Sequence, residues 1–197
     1  MRLRFVRFAL VGMGIASAMA AHAVTLTFDD LSDGTFTTQY SGFGVSSSGT
    51  AEVWGGLGNG DPGNWGLFGT NGSKFLGNNG SPGGYITDLN FSSALSGISF
   101  DISRSNGSDA ADTWQARIYD SSTTLIGSQS GGFSDINTWT SVLFNQAGIS
   151  RLEIETFGTG FHPYGVDNVN LAPVPEPASM AAIGLGLAAL LRRKRRA

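Results

Sequence analysis

The sequence predicts an all-β fold, a two-sheet antiparallel β-sandwich with a helical segment at each end of the chain. Three observations predict it. Between residues 24 and 172 no long segment repeats with helical periodicity, and short runs rich in β-branched and aromatic residues recur at even spacing instead. Those 149 residues also hold 25 of the 29 glycines, a composition that supplies many tight turns.

The first element is a leader. Arg2, Arg4 and Arg7 precede an apolar stretch from Phe8 to Ala20, and Ala21-His22-Ala23 places small residues at the two positions a signal peptidase reads. Residues 1–23 therefore read as a secretory signal peptide, an apolar helix shorter than a membrane span. Cleavage after Ala23 leaves Val24 to Phe28 as the new start, and this run already alternates as a strand does. Further strands are expected at Gly42 to Ser46, Ala51 to Trp54, Lys74 to Leu76, Tyr85 to Phe91, Ile98 to Ile102, Trp114 to Tyr119, Thr124 to Ser128, Thr140 to Phe144, Leu152 to Thr156 and Gly165 to Leu171. The pattern is cleanest in two of them. Trp114, Ala116 and Ile118 alternate with Gln115, Arg117 and Tyr119, and Leu152, Ile154 and Thr156 alternate with Glu153 and Glu155, so one face is core and the other wet. The same reading places Trp114 and Trp139 in the core. Gly55 to Ser73 is too rich in glycine for a regular strand, and a loop that long in a compact domain reads as functional or mobile.

The last element, residues 173–197, has three parts in order. Pro175-Glu176-Pro177 comes first, then an apolar segment from Ala178 to Leu191, then Arg192-Arg193-Lys194-Arg195-Arg196. As a short transmembrane helix the apolar segment spans about 21 Å against the roughly 30 Å of a hydrocarbon core. Snorkelling of Arg192 and Arg193 and local thinning close that gap, with the basic cluster held in the cytoplasm. This tail resembles the PEP-CTERM sorting domain of exported bacterial proteins. The resemblance implies recognition by an exosortase-type membrane enzyme, processing near Pro175, Glu176 and Pro177, and a transient membrane anchor. It also implies delivery to the cell-envelope surface or an extracellular polysaccharide matrix.

The body, residues 24–172, is similar to the jelly-roll sandwiches of galactose-binding-like and carbohydrate-binding modules. The similarity rests on the succession of Ile98-Ser99-Phe100-Asp101, Trp114 to Tyr119, Thr138 to Val142, Ile149 to Ile154 and Val166-Asp167-Asn168-Val169. It implies a jelly-roll-like sandwich whose final strand lies beside the first, here Thr27-Phe28-Asp29-Asp30.

Charge and composition exclude several functions. The body carries Lys74, Arg104, Arg117 and Arg151 against fourteen acidic residues, a net charge of −10. Such a surface repels phosphate backbones, so no nucleic-acid partner is expected, whereas divalent cations and neutral glycans stay open. With no cysteine there are no disulfides, thiolate zinc sites or cysteine nucleophiles. His162 is the body's one histidine, which removes multi-histidine metal sites, and Gly160-Phe161-His162-Pro163-Tyr164 reads as a turn with no nucleophile elbow before it. No carboxylate pair stands out by position, and the glycine cluster at Gly55 to Gly60 lacks the strand-to-helix setting that binds phosphate. The protein is not expected to be an enzyme.

Two constellations remain. Asp29, Asp30 and Asp167 could hold a structural calcium if the sheet brings the two chain ends together, calcium being a hard cation that gathers carboxylate and carbonyl oxygens. The competing reading makes Asp29 and Asp30 the start of a turn through Asp33-Gly34, and Asp167-Asn168 a cap or a bulge of a strand. Trp54, Trp65 and Tyr85 lie in or beside the glycine-rich loop with Phe68, Asn59, Asp61, Asn64 and Asn71. A sugar ring stacks on such aromatic faces while its hydroxyls bond amides and carboxylates. The function expected is a structural or adhesive component of the envelope or biofilm matrix. The alternative is a carbohydrate-binding module that recognises exopolysaccharide, with a secreted hydrolase third.

Overall fold

Alternation along the chain sets the strands. In β7 (Thr113–Tyr119) and β10 (Ile149–Phe157), Trp114, Ala116, Ile118, Leu152, Ile154 and Thr156 are buried, while the residues between them are partly exposed. The computed structural model describes residues 23–48, 51–55, 74–78, 85–104, 111–136, 138–158 and 163–173. The two terminal segments expected as helices, His162 and residues 56–73 of the glycine-rich loop lie outside them. Among the described residues no helix is long and apolar enough to cross a membrane.

The other strands are β1 (Val24–Leu26), β2 (Gly34–Thr35), β3 (Val45–Ser47), β4 (Ala51–Gly55), β5 (Lys74–Asn78), β6 (Tyr85–Arg104), β8 (Leu125–Gly132), β9 (Thr140–Phe144) and β11 (Tyr164–Pro173). All pair antiparallel. β6 is the strand that makes two layers out of one hydrogen-bonded network. Its first half has β10 on one edge and β3 on the other; its second half has β11 on one edge and β9 on the other. One layer therefore runs β3-β6-β10-β7-β8. The other runs β9-β6-β11-β5-β4-β2, with β1 beside β5 along the same edge of β11.

Two expected strands, Tyr85 to Phe91 and Ile98 to Ile102, are thus one. The Ser- and Gly-containing segment between them carries the crossing from layer to layer and stays extended because its backbone finds acceptors and donors there. Ser92 N donates to Gly44 O at 2.8 Å and Gly148 N to Leu95 O at 2.8 Å. Both partner strands shift register at this place, between Ile149 and Arg151 and between Ala172 and Pro173. Gly97 allows the closest approach, since a Cβ there would lie 3.0 Å from Phe144 O. The two-residue β2, which no alternation announces, pairs with β4.

The layers close on one apolar core that includes Leu89, Phe91, Ile98, Phe100 and Ile102 of β6, Val142 and Phe144 of β9, and Val166, Val169 and Leu171 of β11. Tyr164 is buried among them, its hydroxyl donating to Ile154 O at 2.9 Å and lying 2.7 Å from Thr87 Oγ1. Burial pushes this phenol well above its ordinary pKa. After β1 the chain turns sharply. Phe28 has φ 62°, Leu31 N donates to Phe28 O, and Phe28, Phe36 and Tyr40 pack as a ring trio with centroids 5.7 to 5.8 Å apart. The Tyr40 hydroxyl accepts from Phe28 N at 3.1 Å and donates to Asp30 Oδ1.

Candidate functional site

The β9-β6-β11-β5-β4 layer has two faces, and register separates them. Val53, Leu76, Val166 and Ile102 form a row across four strands, fully buried in the core. Their chain neighbours therefore face away from it: Trp54 opposite Phe75, then Gly77 opposite Gly165 and Gly165 opposite Ser103. Phe75 is buried outside the core cluster, and Trp139 meets it edge-on with centroids 6.4 Å apart at 62°. Small residues make the arrangement possible. A Cβ on Gly77 would lie 2.7 Å from Trp54 Cδ1 and 3.3 Å from Phe75 Cε2, so glycine lets both rings close over the strand. Ser103 and Gly165, which lie between β9 and β5, leave room for the indole of Trp139 to reach Phe75.

Trp139 is consequently not a core residue, contrary to the expectation from its run. It precedes β9 by one position and shares the parity of Ser141 and Leu143, whereas the core side chains of β9 are Val142 and Phe144. Trp114, by contrast, is in the core at 5 % exposure. Trp54 and Trp139 are both partly exposed, and together with Phe75 they make an aromatic face next to where the chain leaves β4 for the glycine-rich loop. Of the other aromatics singled out from the sequence, Trp65 lies outside the described residues, and Tyr85 opens β6 with its backbone opposite Thr156. Phe75 had no sequence signal as a site residue, because a buried Phe in a strand reads as core. Its neighbour Leu76 in fact takes that place.

Polar groups adjoin this face. Asp101 lies opposite both Ser141 and Asp167; its Oδ1 accepts from Ser141 Oγ at 2.5 Å and its Oδ2 from Asn168 Nδ2 at 2.8 Å. Asn168 has φ 50°, and the β11–β6 register shifts between Asp167 and Asn170. This bulge resets alternation so that Val166 and Val169 both reach the core, and it leaves Asp167 fully buried with Oδ1 accepting from Asn168 N at 2.7 Å.

β1 does lie beside β11, as the jelly-roll resemblance implies, with Val24 opposite Leu171. The three candidate calcium ligands nevertheless turn to different partners. Asp29 Oδ1 accepts from Lys74 N at 3.0 Å, Asp30 accepts from Tyr40, and Asp167 sits in its bulge. Among the described residues no three acidic or histidine side chains gather as a metal site.

The outer face of the other layer is charged. Arg117 Nη1 donates to Glu153 Oε1 at 2.6 Å and to Glu155 Oε2 at 2.7 Å, and its Nη2 donates to Gln115 Oε1. Burial opposes the Arg117 charge, but the bonds to Glu153 and Glu155 outweigh it and raise its pKa. Arg151 stacks 4.1 Å over the Tyr119 ring, with Glu153 Oε2 at 3.4 Å and Asp88 Oδ1 at 4.0 Å. Burial raises the Asp88 pKa against the pull of Arg151. Burial and the charge of Glu153 raise that of Tyr119.

Residues 173–196 match the family model of the PEP-CTERM protein-sorting motif. No curated protein matches the chain. Among solved structures, the K2 cleaved adhesin domain of Lys-gingipain (Kgp) is similar with a TM-score of 0.54 at 10 % identity, over 77 % of this chain and 99 % of that one. A family 29 carbohydrate-binding module from Piromyces equi has a TM-score of 0.43 at 8 % identity, over 76 % and 89 %. The CBM22-1 xylan-binding domain from Paenibacillus barcinonensis Xyn10C has 0.39 at 15 %, over 77 % and 94 %. At such identities a likeness speaks to fold, and the first agrees with the two-layer arrangement of strands derived above. The chain is thus an antiparallel β-sandwich that ends in a PEP-CTERM protein-sorting motif, the mark of an exported protein.

Proposed function

We propose that this is a surface or matrix protein of the cell envelope, sorted through its tail by an exosortase-type membrane enzyme and adhesive through its sandwich. The observation that carries this reading is the sorting motif at residues 173–196. The C-terminal segment holds the chain in the membrane until processing near Pro175, Glu176 and Pro177. Intact mass spectrometry of protein recovered from outside its native host tests it. The expected species lacks residues 1–23 and the tail beyond the Pro-Glu-Pro region; a full-length tail on a membrane-bound form overturns the sorting step.

The adhesive part of the reading is non-catalytic recognition of extracellular polysaccharide, and the aromatic face favours it. Two partly exposed indoles at Trp54 and Trp139 offer stacking surface, and Asp101, Ser141 and Asn168 supply hydrogen-bonding groups nearby. Trp54→Ala is expected to weaken retention on the bound polysaccharide roughly tenfold. Affinity electrophoresis reads the loss, and a thermal melt of the same variant confirms the fold. Full retention by a folded Trp54→Ala protein moves the contact away from this face.

A further inference from the structure

A strand paired on one side only holds a row of backbone N–H and C=O groups ready to pair with another chain. Most such edges of this sandwich are blunted by shortness. β1, β2 and β3 have three, two and three residues, and β9 has five. β8, which ends the charged layer, runs for eight residues from Leu125 to Gly132 with no charged side chain and no proline. It lacks the devices that keep an edge solitary.

One hydrogen bond gives the direction of its free groups. Phe133 N donates to Asp112 O at 3.3 Å, which makes Asp112 and Phe133 a hydrogen-bonded pair. Such pairs alternate along an antiparallel ladder, so Gly131 with Trp114 and Gln129 with Ala116 bond across to β7. Ser128, Ser130 and Gly132 therefore aim their N–H and C=O away from β7, where no strand among the described residues pairs with β8. Ser128, Gln129 and Ser130 are all exposed, so the middle of the strand is open. The edge is also held in place, because Gln129 Nε2 donates to Leu143 O of β9 at 2.5 Å and ties β8 to the other layer.

We infer that β8 is the docking edge for a second copy of this chain, paired antiparallel with its own β8 about a twofold axis. Charge argues for this occupant. The body carries a net charge of −10 and so does its copy, and the two approach with least repulsion along an uncharged strand. On the neighbouring β7, Arg117 is already spent on Glu153 and Glu155. The strand is also complementary to itself. With Ser130 opposite its own equivalent, Ser128 meets Gly132 of the second copy and Gln129 meets its Gly131, so no like charges and no two large side chains face each other. Such a dimer closes on itself and joins two charged layers into one continuous sheet. It also carries two aromatic faces, which raises avidity for any polymer they bind, but the pairing itself does not depend on what the sandwich binds.

Protein recovered from outside its native host is weighed by light scattering after gel filtration over a concentration series, and its amide hydrogen exchange is followed at both ends of that series. The parent is expected at twice the mass of one chain at high concentration, with the Ser128, Ser130 and Gly132 amides protected there and exchanging freely on dilution. Ser130→Pro removes an N–H that β7 does not use, and Ser130→Lys sets two like charges opposite each other across the twofold axis. Both variants are expected to keep a cooperative melt, since Ser130 is exposed, and to fall to half the parent's mass. A parent that stays a single chain throughout the series overturns the inference. So does an oligomer that persists in either folded variant, or one in which those three amides stay unprotected.

Discussion

Tyr40 concentrates the strain and the polarity of the N-terminal turn in one hydroxyl. It accepts from the backbone of Phe28, a residue held at positive φ, and donates to Asp30. Such a backbone conformation in a β-branched-free aromatic residue still costs about 1 to 3 kcal/mol and persists only where neighbours over-determine it. Tyr40→Phe keeps the ring trio and removes both bonds, leaving the Phe28 N–H buried without its acceptor. We expect a loss of about 1 to 3 kcal/mol in urea denaturation. Asp88 offers the opposite case. Burial raises its pKa, so its native carboxyl holds the proton more tightly than the unfolded one, and this group's contribution to stability falls as pH rises through the interval between the two values. Asp88→Asn is therefore expected to melt higher than the parent at neutral pH, by no more than about 1 kcal/mol in stability. The difference should vanish below the ordinary carboxylate range; a melt that is lower at neutral pH would show that the pairing with Arg151 outweighs burial.

At the scale of elements, glycines decide where large rings lie. Gly77 in β5 admits Trp54, and Gly131 in β8 admits Trp114. Gly77→Ala forces an atom within 2.7 Å of the Trp54 ring and must displace it. A destabilisation of about 1 to 3 kcal/mol is expected, together with a change in tryptophan emission as the indole shifts. An unchanged spectrum and melt would mean the ring is not seated over Gly77. The alternation of β7 and β10 was legible because each strand has one core face and one wet face. That of β5 was not, since Phe75 and Leu76 are both buried, one on each side of the sheet. Nor was the continuity of β6, whose exposed Ser92, Ser93 and Ala94 look like a turn in one dimension. Only the acceptors and donors of Gly44 and Gly148, brought from elsewhere in the chain, keep that segment extended.

For the molecule as a whole, the last strand is the critical one. β11 lies between β6 on one edge and β5 with β1 on the other, so the layer it belongs to cannot assemble until residues 164–173 arrive. A chain truncated after residue 163 is expected to lack a cooperative melt in circular dichroism, while one truncated after Pro173 retains it. Cooperative folding of the shorter chain would contradict this placement of β11. The matched sorting motif begins at residue 173, where β11 ends, and Val24 at the start of β1 lies opposite Leu171 of the same strand.

Sequence alone determined what depends on local pattern: a β-rich body, the face each regular strand buries, the acidic charge, and the sorting tail whose three parts are contiguous in the chain. It also singled out Trp54. Tertiary structure decided what depends on residues far apart in the chain meeting in space. It carried Trp139 out of the core to Phe75, gave Asp29, Asp30 and Asp167 different hydrogen-bond partners, and set Gly131 under Trp114. The reason is physical. A period of two states which face a side chain takes, but which strand lies across from it, and whether that strand offers a glycine or a ring, is settled only by pairing register.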